Sequence, residues 1–90
     1  LSIADLQTTD SFFDGRLQIK QATAGYRFSI DAVLLAHHIR PRKGERLLDL
    51  GTGCGIIPLI LAYRHAGITI SGIEIQDELA DLAVSNVIAN

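Results

Sequence analysis

Apolar residues in this chain fall in short runs, and the spacing within each run marks a different element. Leu17 and Ile19 alternate with Arg16, Gln18 and Lys20, the period of a strand with one buried face. Phe12 and Phe13 stand on the far side of Asp14-Gly15. Asp-Gly beside an alternating stretch signals a hairpin, because a type I′ turn needs positive φ at both central residues. Residues 1–11 are polar without a clear period and read as a loose lead-in, and Gly25 breaks the chain again. A helix is predicted from a cap at Ser29 or Asp31, through Ala32-Val33-Leu34-Leu35-Ala36, to about Ile39. Arg40 suits the negative end of its dipole, and Pro41 and Gly44 stop it.

From Arg46 the pattern changes. Residues 46–50 form a short strand candidate, and Gly51-Thr52-Gly53-Cys54-Gly55 follows as a tight loop. Residues 56–65 read as a helix with Pro58 in its first turn, where a missing N–H costs little. Gly67 ends it. Residues 68–75 (ITISGIEI) are β-branched and mostly apolar, as suits a strand covered on both faces. Asp77 is the expected cap of a last helix, with Glu78 in its first turn. Its apolar stripe is Leu79, Leu82, Ala83 and Val87, widened by Ala80 and Val84. Strand, glycine loop, helix and strand make a βαβ unit, which demands a parallel pair. The chain divides into a lead-in over 1–11, a hairpin and helix over 12–45, and a first βαβα part over 46–90.

Bulk properties narrow the class. The 90 residues are 48% hydrophobic and 20% charged, with a net charge of −2. That suits one soluble domain at most and gives no global basic field for nucleic acid. The basic residues are clustered, however. Seven of the eight lie between Arg16 and Arg46, opposed there by Asp31 and Glu45, which leaves an excess of about five positive charges able to meet phosphates. The longest apolar run, 56–63, is far too short to span a membrane. The first residues do not carry the basic-apolar-small pattern of a signal peptide. It starts on Leu1 rather than Met and stops inside an apolar-periodic segment, so both ends read as cuts in a longer protein. The single Cys54 allows no internal disulfide and fits a reducing, cytoplasmic setting.

The chemistry is concentrated in Asp49-Leu50-Gly51-Thr52-Gly53-Cys54-Gly55. Alternating glycines let the chain turn sharply and bring a ligand against bare backbone, at the carboxyl end of a strand, where open α/β sheets bind ligands. The nicotinamide fingerprint would need a third glycine at Ile56, and the phosphate-binding P-loop would need a lysine that is missing. With an acid two residues before the first glycine and no cation in the loop, a sulfonium- and ammonium-bearing ligand fits better than a polyphosphate. Glu74 stands 19 residues after Gly55, where a carboxylate can accept from both hydroxyls of a ribose. Ile75 beside it offers an apolar surface to an adenine ring. Tyr26 next to Arg27 is placed to meet a base or a phosphate. His37 and His38 are adjacent on a helix and point about 100° apart, so no metal site is expected there. Cys54 reads as a small turn residue rather than a nucleophile.

The D-x-G-x-G-x-G loop with Glu74 resembles the first two motifs of class I S-adenosylmethionine (SAM)-dependent methyltransferases. Gly25-Tyr26-Arg27-Phe28-Ser29-Ile30-Asp31-Ala32-Val33-Leu34-Leu35-Ala36 resembles the segment leading into that domain in bacterial tRNA adenine-N6 methyltransferases. The resemblance implies an α/β, partial Rossmann-like fold with a parallel βαβ core, preceded by a β-hairpin and a helix. It implies SAM as cofactor and tRNA as partner. It assigns cofactor contacts to Asp49, Gly51, Thr52, Gly53, Gly55, Glu74 and Ile75, with Arg27, Phe28 and Asp31 over the cofactor or at the mouth of the site. The family's catalytic Asn- or Asp-Pro-Pro-Tyr/Phe signature is absent, since the only prolines are Pro41 and Pro58. Catalytic residues are therefore unassigned. The alternatives are methylation of an rRNA guanine or a protein glutamine, a nicotinamide oxidoreductase, and a non-catalytic SAM-binding module.

Overall fold

The computed structural model describes residues 6–25 and 27–90. Tyr26, read above as a base or phosphate contact, and the first five residues of the lead-in lie outside that set. The element order is β1 (Gln7–Phe12), β2 (Leu17–Ala22), α1 (Ile30–His38), β3 (Arg46–Leu50), α2 (Ile56–Arg64), β4 (Thr69–Ile73) and α3 (Asp77–Ala89). β1 and β2 pair antiparallel, and β3 and β4 pair parallel with Asp49 opposite Gly72. An antiparallel hairpin, a helix and a parallel β-α-β unit make an α/β chain consistent with a partial Rossmann-like fold.

The hairpin turn falls at Asp14-Gly15 as predicted, within a four-residue loop over 13–16. Asp14 and Gly15 both have positive φ, and the Arg16 N–H donates to the Phe13 carbonyl at 3.2 Å. Phe13 also has positive φ, +53°, unusual for a bulky side chain. Its ring stacks on Tyr63 at 4.3 Å between centroids, a contact that offsets the backbone cost. The loose lead-in needs correcting, because residues 7–11 belong to β1. Their polar side chains carry no alternation, and pairing with β2 supplies the backbone hydrogen bonds that make them a strand.

The core sits between the hairpin and the helices. Leu17 and Ile19 of β2 are buried with Ala36 of α1 and Ile56, Leu59 and Ile60 of α2. Gln21, next on the same face of β2, is also buried, and its polar atoms are satisfied. Its carbonyl oxygen accepts from the Phe28 N–H at 2.9 Å, and its amide donates to Asp10.

Two packing expectations are overturned. β4 is not covered on both faces. Leu48, Leu50 and Ile73, which share one sheet face, are 58%, 74% and 54% exposed. The buried stripe of α3 is also rotated. Of the predicted stripe Leu79 is buried, Leu82 packs against the core, and Ala80 and Ala83 are half-buried, whereas Val84 and Val87 are exposed and Asn86 is buried in their place. The cause is that α3 packs on β2, and Asn86 and Asn90 hydrogen-bond to that strand. The stripe residues left over line a groove of about 500 Å³ against Ile70 and Ile73 of β4. No helix among the described residues is long and apolar enough to cross a membrane.

Candidate cofactor-binding site

The site is built where β3 ends. Leu50 is the last residue of the strand, and the next two N–H groups, of Gly51 and Thr52, both donate to the carbonyl of Ile73, at 2.8 and 2.9 Å. Ile73 is the last residue of β4, so one carbonyl ties the start of the loop to the end of the neighbouring strand. Gly51, Gly53 and Gly55 all have positive φ, and Gly55 is the left-handed N-cap of α2. This is the region in which a Cβ is disfavoured, and the strand-to-helix reversal needs it.

Glu74 follows immediately. Its Oε1 accepts from the Gly53 N–H at 2.8 Å, and its Oε2 accepts from the Gln76 N–H at 3.0 Å. The two halves of the sequence motif therefore meet at hydrogen-bond distance. The Gln76 and Gly53 N–H groups hold the Glu74 carboxyl below its ordinary pKa, with a smaller contribution from Ile75. A depressed folded pKa gives stability that is present above the unfolded pKa and lost as pH falls through the folded one. The stability difference between the parent and Glu74→Gln, measured by urea unfolding, should therefore be present at neutral pH and fade below the ordinary glutamate range. A difference that persists undiminished at pH 3 would contradict this. Asp77 does not cap α3 as expected. Gln76 is the N-cap, with extended backbone, and Asp77 and Glu78 form an acidic first turn. The chain bends at Ile75 and Gln76, and α3 begins directly after them, one residue earlier than a cap at Asp77 would give.

Four loop N–H groups are engaged inside the protein: Gly51 and Thr52 by Ile73, Gly53 by Glu74, and Gly55 by the Thr52 carbonyl at 3.0 Å. A phosphate nest needs those donors free and pointing outward. Those four donors are therefore not offered to a polyphosphate, and the anionic Glu74 carboxylate beside them disfavours one further. Two oxygens point to a different ligand. Asp49 Oδ2 and Thr52 Oγ1 are buried and have no hydrogen-bond partner among the described residues. Buried acceptors are normally paired, so this pair is suited to a ligand's donors. Gly51 is exposed, with open space where a Cβ would stand. Ile75 is 92% exposed just beyond Glu74.

Other sequence-predicted residues belong to the hairpin side. The Arg27 guanidinium donates to the Ala22 carbonyl and lies 3.9 Å from Asp10. Phe28 packs its ring 6.0 Å from Phe12, and Asp31 is exposed in the first turn of α1. No described hydrogen bond or ion pair joins these three to the glycine loop. His37 directs Nδ1 at the Val33 carbonyl one turn back. Burial pushes the Cys54 thiol above its ordinary pKa, which keeps it protonated at neutral pH.

No protein-family model matches the chain. Curated relatives do. The chain is 35% identical over 86 residues to a tRNA1(Val) (adenine(37)-N6)-methyltransferase of Porphyromonas gingivalis, an alignment covering 91% of this chain and 34% of that one. Against the protein of the same name from Pedobacter heparinus it is 32% identical over 73 residues, 81% of this chain and 31% of the relative. For that of Vibrio vulnificus the figures are 31% over 78 residues, 87% and 33%. The chain is a homologue of these methyltransferases. It spans about a third of the length of the curated relatives it matches. The alignment with the Porphyromonas gingivalis protein, at 91% of this chain, takes in both the glycine loop and Glu74.

Two residues at this site were not singled out from the sequence. Gly72 lets the Thr52 side chain lie against β4, and a glycine inside a strand is the usual sign of such close approach. Asn86 is fully buried and donates to the Cys54 carbonyl at 2.9 Å. A polar residue within the apolar stripe of α3 was its signal.

Proposed function

We propose that this segment is the SAM-binding part of a methyltransferase that modifies the N6 amine of an adenine in tRNA. The observation that carries the reading is the 2.8 Å hydrogen bond from Gly53 to Glu74, which joins the glycine turn to an anionic strand-end carboxylate. Glu74 keeps lone pairs to accept from both ribose hydroxyls, since each oxygen accepts one N–H within the protein. Ile75 gives the adenine ring an apolar contact, and Gly51 a backbone surface. Asp49 and Thr52 supply acceptors for the methionine end. Arg27, Phe28 and Asp31 are assigned to the mouth from the family resemblance, and the Arg27–Asp10 pair holds Arg27 against the hairpin. SAM bound there would supply an electrophilic methyl group on a sulfonium, and alignment with the accepting nitrogen provides most of the acceleration.

The acceptor is assigned from the relatives' names and from charge. Arg16, Lys20, Arg40, Lys43 and Arg46 are exposed and make no ion pair among the described residues. They are free to meet RNA phosphates. The reduced, protonated Cys54 suits a cytoplasmic enzyme. The groups that accept the adenine amine are not assigned to this segment.

Calorimetric titration of the complete protein with SAM and with NAD tests the reading. SAM should bind and NAD should not, and Glu74→Gln should weaken SAM by about tenfold, as loss of a charged hydrogen-bond partner does. NAD binding, or unchanged SAM affinity in Glu74→Gln, would overturn it.

A further inference from the structure

Asn86 of α3 and Asn90, the C-cap of that helix, stand one turn apart, and both act on β2. Asn86 is 0% exposed. Its Oδ1 accepts from the Lys20 N–H at 2.8 Å, and its Nδ2 donates to the Lys20 carbonyl at 3.0 Å. Asn90 repeats the pattern on Gln18, accepting at 3.0 Å and donating at 2.8 Å. Residues i and i+4 of a helix rise about 6 Å, and residues i and i+2 of a strand advance about 6.7 Å. The two spacings nearly match. Two side-chain amides can therefore stand in for a neighbouring strand and cover the edge of β2 that β1 leaves open.

The rungs differ in one respect. The second Nδ2 hydrogen of Asn86 reaches the Cys54 carbonyl at 2.9 Å, in the middle of the glycine loop, whereas that of Asn90 goes to its own helix at the Asn86 carbonyl. One buried side chain thus holds the hairpin and the loop at once. We infer that Asn86 is a positioning residue for cofactor binding: it fixes the Cys54 carbonyl, and with it the Gly53–Gly55 turn, and so makes loop geometry depend on the docked hairpin. Asn90 shares the docking and not the loop contact, which makes it the control. The ligand readout of this inference rests on the SAM-binding reading above. The loop readout does not.

The test compares Asn86→Ala with Asn90→Ala in the complete protein, by calorimetric titration with SAM and by amide hydrogen exchange without ligand. Both variants should lower the melting temperature, because each removes hydrogen bonds to β2. Only Asn86→Ala should speed exchange at Gly53 and Gly55, and only it should weaken SAM, by about five- to tenfold, the range for one lost hydrogen bond. Should Asn86→Ala fail to fold, Asn86→Ser keeps a hydroxyl at the site and is read in the same way. Unchanged loop exchange in the Asn86 variants, or an equal change in Asn90→Ala, would overturn the inference. If the parent protein binds no SAM, the SAM-binding reading fails, and loop exchange alone decides the role of Asn86.

Discussion

Gly72→Ala should destabilise the complete protein by about 1–3 kcal/mol, the usual cost of overpacking. On backbone grounds alone the sign would be opposite. Replacing a strand glycine with alanine ordinarily gains about 0.5–1 kcal/mol. Here a Cβ on Gly72 would stand 2.7 Å from Cγ2, 2.8 Å from Cβ and 2.8 Å from Oγ1 of Thr52. The Thr52 Cβ is fixed to the backbone, so no rotamer removes it from the contact. Nor can the backbone retreat freely, because the Thr52 N–H is bonded to the Ile73 carbonyl at 2.9 Å. The collision therefore outweighs the entropic gain. It should also weaken SAM, since relief requires the loop to lift from β4. Urea unfolding and calorimetric titration check both effects. Thr52→Gly in the same molecule removes the opposing atoms and should recover part of the lost stability, a coupling expected only of residues in contact. A stabilised Gly72→Ala protein would refute the steric argument.

The 90-residue chain by itself should not melt cooperatively as a monomer. β3 and β4 form a two-stranded parallel sheet, and neither outer edge is paired in the described chain. Leu48, Leu50 and Ile73 present one apolar face, and Val84, Val87 and Ile88 of α3 present another. Isolated two-stranded sheets are marginal, and unpaired edges beside apolar surface invite association. Dye binding to exposed apolar surface, a broad melt and concentration-dependent light scattering are the expected signs. A sharp, concentration-independent melt of a monomer would contradict them. The same face explains why ITISGIEI reads as a doubly covered strand. Its composition suits burial that the chain described here does not supply.

Much of the site was legible because it depends on local chemistry. The reach of β3, the glycine turn and the acid after β4 follow from φ requirements and spacing, and the structure brings Gly53 and Glu74 together. The hairpin turn was legible for the same reason. β1 was not, because QTTDSF is a strand through pairing with LQIKQA and carries no pattern of its own. The rotation of α3 was hidden because apolar count favours Val87, whereas the buried place is taken by Asn86, whose hydrogen bonds to Lys20 of the hairpin and to Cys54 of the glycine loop join residues far apart in the chain. Asp77 attracted the cap assignment by residue type, whereas the extended Gln76 takes the N-cap and Asp77 is already in the helix.

The joint at Ile73 is invisible to ordinary mutagenesis. Alanine scanning there would report only on a half-exposed side chain, yet the main-chain oxygen receives both amides that open the glycine turn. What matters at this point is carried by atoms that every residue possesses. Only chemical synthesis, exchanging the Gly51 or Thr52 amide for an ester, isolates that fastening from the side chains around it.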